Sequence, residues 1–162
     1  MISTIEGSRR SLLNLLDQTR RETRSILSNL DPLRVVHTDE RGWRVRDIVG
    51  HLAVWNEEAA RSLIAYANRS EYTCISGSAK YYEYNGPAAD ERKEWTLDEV
   101  WAEYEASHEQ LRKIVQAMPA HKWGGQLVFP WSERGTVEQL IKIMMNHEKI
   151  DHCDLVVKVT SG

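Results

Sequence analysis

The sequence predicts an all-α fold, a four-helix bundle with a long connection between its second and third helices. Three observations carry this. Four stretches repeat apolar residues at helical spacing. Capping-box pairs and prolines punctuate them. No pair of alternating runs reads as two partnered strands. The chain has 162 residues, which fits a single domain over 1–162 with one core.

The first stretch runs from about Ser3 to Asn29, with Ile5, Leu12, Leu15, Leu16, Thr19, Thr23, Ile26, Leu27 and Leu30 on one stripe. Asp31-Pro32 stops it, because a residue before proline is pushed out of the helical region. The second runs from about Val45 to Asn68 with the stripe Ile48, His51, Leu52, Trp55, Ala59 and Leu63. The third opens at Thr96, whose hydroxyl and the Glu99 carboxylate form a capping box, and Pro119 closes it. The fourth opens at Thr136, where Gln139 closes a similar box, and runs to about Val159.

Two segments link these helices. The polar stretch from about Arg69 to Trp95 carries Lys80, Tyr81, Tyr82 and Tyr84, and a short helix over Ala88–Arg92 is expected in it. Leu127-Val-Phe129-Pro130-Trp131 reads as a short extended segment over one end of the bundle. Trp43 and Trp123 flank helices, where a large aromatic plugs the end of a core.

Composition narrows the function. Net charge is -3 with both signs interspersed, and no basic block suggests a phosphate-backbone partner. The expectation is therefore no nucleic acid. No apolar run approaches the roughly 18 residues of a membrane span, and MISTIEGSRR lacks the apolar segment of a signal peptide. Cys74 and Cys153 are too far apart for a CxxC pair, and the simplest expectation is free thiols in a reducing cytoplasm. The remaining expected partner is a small molecule.

The informative residues are His51 and the pair Glu148/His152. On a helix advancing about 100° per residue, Val137, Leu140, Ile141, Met144, Leu155 and Val159 share one face. Glu148 falls in the middle of that face and His152 lies one turn on, slightly to its side. An unpaired buried carboxylate costs several kcal/mol, so Glu148 requires a metal, a base or a buried partner. His51 sits in the apolar stripe of the second helix, with Asp47 one turn before it as an acceptor for one ring N–H. If the two helices face each other, three metal-binding groups converge. The bland alternative is that these side chains hydrogen-bond inside the core. His108, among Ser107, Glu109 and Gln110, reads as a surface residue, and His37 and His121 lie in loop-like segments. Cys153 reads as packing, not as a nucleophile.

Trp43-Arg-Val-Arg-Asp47-Ile-Val-Gly-His51-Leu52-Ala53-Val-Trp55 resembles the second-helix signature of the DinB-like superfamily. Tyr84-Asn85, Glu91-Arg92 and Thr96-Leu-Asp-Glu-Val100-Trp resemble its approach to the third helix. Gly135-Thr136-Val137 and Asn146-His147-Glu148-Lys-Ile-Asp-His152 resemble its fourth. The resemblance implies a four-helix bundle with a metal held by one His of the second helix and two His, four apart, of the fourth. It also implies relatives that are metal-dependent hydrolases or thiol-dependent transferases or isomerases, frequently dimeric.

This chain departs from that pattern. His147 and His152 are five apart, roughly 140° around an α-helix. Anchoring on His152 makes Glu148 the other ligand, and anchoring on His147 makes it Asp151. The apolar stripe favours His51, Glu148 and His152, with His147 and Asp151 as alternates. Two imidazoles and a carboxylate suit zinc, nickel, iron or manganese without choosing among them. A low-molecular-weight thiol is the further cofactor implied by the resemblance, and no catalytic residue is assigned. A non-catalytic binding or stress-response bundle with an altered metal site is the competing expectation. Ile143, Ile150 and Val157 form a second apolar strip on the fourth helix, and a homodimer is expected from it.

Overall fold

A computed structural model describes residues 2–36, 42–75 and 78–161. Its helices are α1 (Ile2–Leu27), α2 (Val45–Asn68), α3 (Ser78–Arg92), α4 (Leu97–Ala117), α5 (Val137–Asn146) and α6 (Leu155–Thr160). A π-helical segment, His147–Asp154, joins α5 to α6, so the last three form one rod. Helices α1, α2, α4 and this rod are the four members of the all-α bundle. The most extensive helix pairing is α2 with α4, and α1 lies against α4 and α5.

Local chemistry explains the boundaries. Thr96 and Thr136 accept from the backbone N–H groups of Glu99 and Gln139, whose side chains accept from the threonine N–H groups in return. At the start of α2, Asp47 accepts from the Arg44 backbone N–H at 2.9 Å and from the Arg44 guanidinium. Arg69 ends α2 in the left-handed region at φ 54°, its N–H capping Ala65 and Tyr66 carbonyls.

Two connections differ from the sequence expectation. The segment between α2 and α4 holds a helix of 15 residues, well beyond Ala88–Arg92. Helix α3 has little apolar periodicity, and tertiary contact supports it: the Trp55 indole N–H donates to Asn85 at 2.7 Å. The side chains of Lys80, Tyr81, Tyr82 and Tyr84, and all of His37, lie outside the described residues. The stretch after α4 contains a strand pair that the sequence did not suggest. β1 (Leu127–Val128) pairs antiparallel with β2 (Arg134–Gly135), Leu127 opposite Gly135. Two-residue strands are too short to show an alternating pattern.

The core is divided. One apolar cluster includes Leu12, Leu16, Leu63, Leu111, Leu140 and Ile141. The other includes Leu27, Ile48, Leu52, Val100, Trp101 and Val156. Every bundle member passes from one cluster to the other through buried polar residues: Thr19 and Thr23 on α1, Asn56 on α2, Ser107 and His108 on α4, Glu148 and His152 on the rod. A polar layer therefore crosses the middle of the bundle, and the candidate site sits in it.

Candidate metal centre

The π segment builds the site. A π-helix closes its hydrogen bonds from i to i+5, so residues five apart stack on one side. His147 and His152 are five apart, and their Nε2 atoms lie 3.1 Å from each other. The roughly 140° separation expected for an α-helix does not apply, and this corrects the reading that both imidazoles cannot face one ion. His51 projects from α2 to meet them, its ring centroid 5.4 Å from His147 and 4.8 Å from His152. One ring nitrogen from each of the three can be chosen so that all lie within 4.8 Å of one another. A zinc ion with Zn–N bonds of about 2.0–2.1 Å would separate tetrahedral ligands by roughly 3.3 Å, against up to 4.8 Å among these nitrogens.

Glu148 goes elsewhere. It is 1% exposed, as its central place on the apolar stripe requires, but its carboxylate faces away from the imidazoles. Oε2 accepts from the Thr23 hydroxyl at 2.5 Å and the Tyr104 hydroxyl at 2.6 Å, and Oε1 lies 2.9 Å from His108 Nε2. Glu148 is thus met by a base, His108, and by two buried hydroxyl partners. Burial pushes the Glu148 carboxyl upward, but the His108 contact and the two hydroxyl donors outweigh it and hold the group below the usual carboxylate range. The same burial and the adjacent carboxylate drive the Tyr104 phenol far upward, so it stays a donor.

The structure thus brings together His51, His152 and His147, the last placed among the alternates by the sequence. It does not bring in Glu148, and the other alternate, Asp151, is exposed. His108, expected on the surface, is 2% exposed and bonded to Glu148. Its polar neighbours in sequence concealed this; Leu111, Val115 and Tyr104 at helical spacing on the buried face were the available signal. Cys153 packs in the core with its Sγ 3.4 Å from the Thr23 hydroxyl, and burial pushes its thiol up to about 12, which removes it as a nucleophile. The π segment also shifts the helical phase: Val156 is buried, whereas Val159, placed on the core face by α-helical counting, is 43% exposed.

The chemistry of the donor set suits a divalent transition metal. Burial lowers the His147 pKa, only partly offset by Asp151 and Glu148, and so favours the neutral imidazole that a metal requires. Trp43 stacks edge-on against His51, centroids 4.8 Å apart. Beside His51 a cleft of about 20 Å³ opens between α2 and α3, lined by Trp43, Arg46, Asp47, Asn85 and Arg92 among others. An ion held by three imidazoles would keep a coordination position open to a further ligand.

The fold is shared with known proteins. The sequence model of the DinB superfamily matches residues 15–152. No curated protein sequence gives a significant match. Among solved structures, an uncharacterised protein from Escherichia coli UTI89 superposes with a TM-score of 0.75 at 14% identity, covering 94% of this chain and 92% of that one. A mycothiol-dependent maleylpyruvate isomerase gives 0.72 at 14% identity over 91% of this chain, which spans 60% of the isomerase. The colibactin self-resistance protein ClbS, in complex with a dsDNA, gives 0.74 at 11% identity over 94% of both chains. At these identities the likeness is one of fold. The ClbS complex nevertheless overturns the exclusion of nucleic acid drawn from charge pattern. A bundle of this shape is found on duplex DNA, and net charge does not describe the local face that meets phosphates. No helix among the described residues is long and apolar enough to cross a membrane. With the family match extending over most of its length, the chain belongs to the DinB superfamily.

Proposed function

We propose that the chain binds one divalent metal ion through His51, His147 and His152 and uses it in the reaction of a small electrophilic molecule. The reaction class is hydrolysis or the transfer or isomerisation of a group with a low-molecular-weight thiol. The observation that carries this is the convergence of three imidazoles from two elements, with ligand nitrogens within 4.8 Å of one another. A divalent ion there supplies Lewis acidity, which makes a water or thiol more acidic. The chain's own residues do the rest. The π segment orients two donors, α2 supplies the third, and burial keeps His147 neutral. Arg46, bonded to the Arg92 and Trp95 carbonyls, and Arg92, paired with Glu103, border the adjoining cleft. The thiol is suggested by the fold shared with a mycothiol-dependent isomerase.

Protein purified without added metal is expected to carry near-stoichiometric zinc, nickel, iron or manganese by elemental analysis. Absence of metal, together with a melting temperature unchanged by chelator, overturns the reading.

Assembly is proposed as a homodimer through the outer strip of the rod, where Ile143, Ile150 and Val157 are 40%, 57% and 43% exposed. In such a dimer a second copy presents the same exposed apolar residues about a twofold axis. Light scattering at high micromolar concentration is expected to give twice the 18.7 kDa chain mass. A monomer mass rejects the dimer.

A further inference from the structure

We propose that Glu148 is a positioning residue: its buried contacts with Thr23, Tyr104 and His108 hold the rod in the π conformation that brings His147 and His152 together. Its functional meaning rests on the metal reading above, but its structural content does not.

The argument starts from spacing. The π segment places two pairs five residues apart, His147/His152 and Glu148/Cys153. The first pair faces α2, where the imidazoles meet His51. The second faces α1 and α4. Glu148 Oε2 takes the Thr23 hydroxyl at 2.5 Å and the Tyr104 hydroxyl at 2.6 Å, Oε1 meets His108 at 2.9 Å, and Cys153 Sγ lies 3.4 Å from the same Thr23 hydroxyl. In an α-helix the members of each pair diverge by roughly 140°. Glu148 and Cys153 then cannot both reach Thr23, and His147 and His152 cannot both face His51. One backbone choice satisfies both pairs.

The driving side of that choice is the inward one. π-Helical turns are rare because α-helical hydrogen bonding is better, so something outside the backbone has to favour this one. Two imidazoles 3.1 Å apart supply little without an ion between them. A buried carboxylate with three charge-assisted partners on two neighbouring helices supplies much more. Moving the rod to α-helical geometry between residues 147 and 154 displaces Cys153 from Thr23 and rotates the C-terminal turn, which now buries Val156. The contacts toward α1 and α4 thus dictate the register of the groups that face α2.

The test reads geometry first and metal second. In chelated protein, nuclear magnetic resonance should show a ring-to-ring Overhauser contact between His147 and His152. Glu148→Leu is expected to abolish that contact while the rest of the spectrum stays folded, and Glu148→Gln, which keeps an acceptor for the two hydroxyls, to retain it. The double variant Thr23→Val/Tyr104→Phe removes both hydroxyl donors without touching the rod and is expected to lose the contact too, which covers the case in which Glu148→Leu fails to fold. Asn56→Ala, in the same polar layer but bonded to Ser107, should leave it intact. Cobalt(II) titration of the same proteins should give at least a tenfold weaker affinity and altered visible bands wherever the contact is lost. Persistence of the His147–His152 contact in the double variant, or in folded Glu148→Leu, overturns the proposal. Loss of the contact in the variants with no cobalt binding by any of the proteins, the unsubstituted chain included, rejects the metal reading and leaves the positioning role standing.

Discussion

Replacing His147 by Ala is expected to weaken metal binding as severely as replacing His152 or His51. Structural zinc sites bind with about 10–16 kcal/mol over four ligands, which averages to roughly 3 kcal/mol per ligand. At 1.4 kcal/mol per tenfold, each histidine substitution should cost roughly two orders of magnitude in affinity. Asp151→Ala should leave affinity nearly unchanged, because that side chain is exposed and outside the histidine cluster. Competition titration against a chromophoric chelator measures all four. The equality of His147 and His152 is the discriminating outcome. An α-helical register predicts that only one of them matters, with a carboxylate as the companion ligand. If His147→Ala binds like the unsubstituted chain, the π-turned triad is not the site.

Removing the Glu148 carboxylate should be the most destabilising single change in the polar layer. Its oxygens satisfy Thr23, Tyr104 and His108, and all four residues are buried. Breaking a buried charged network by deleting one member costs about 3–5 kcal/mol, because the partners are left without theirs. For a domain of this size that corresponds to a fall of roughly 6–20 °C in Tm. Glu148→Ala in chelated protein is expected to fall in that range, and Glu148→Gln to lose less, since the amide oxygen still accepts. Urea denaturation in the presence of chelator separates this effect from lost metal. A loss under about 1 kcal/mol for Glu148→Ala indicates that the layer is wet or loosely bonded, and removes the basis for a carboxylate held by its protein partners.

Much of the architecture was legible because it is local. The spacing of Ile48, Leu52, Trp55 and Ala59 defines a helix whose bounds, Val45–Asn68, coincide with those read from the chain. Thr96/Glu99 and Thr136/Gln139 form their capping boxes because both partners lie within one turn. The DinB resemblance of the Trp43–Trp55 segment agrees with the family match over residues 15–152. The buried position of Glu148 also followed from periodicity, as did its need for a partner.

What that partner is, and how the rod turns to reach it, only the tertiary structure decided. Thr23 and Tyr104 are 125 and 44 residues away from Glu148 in the chain, and nothing near residues 147–154 names them. An α-turn and a π-turn differ only in which carbonyl each N–H selects. Side chains on the same helix scarcely distinguish the two. Contacts from across the core do, and they moved His147 beside His152, turned Val156 inward in place of Val159, and buried His108. The sequence by itself determined that a bundle would place imidazoles and a carboxylate on its facing helices, because helical periodicity is a property of each segment alone. Which of those groups meet one another depends on the phase of one helix against three others, and that phase is set by packing.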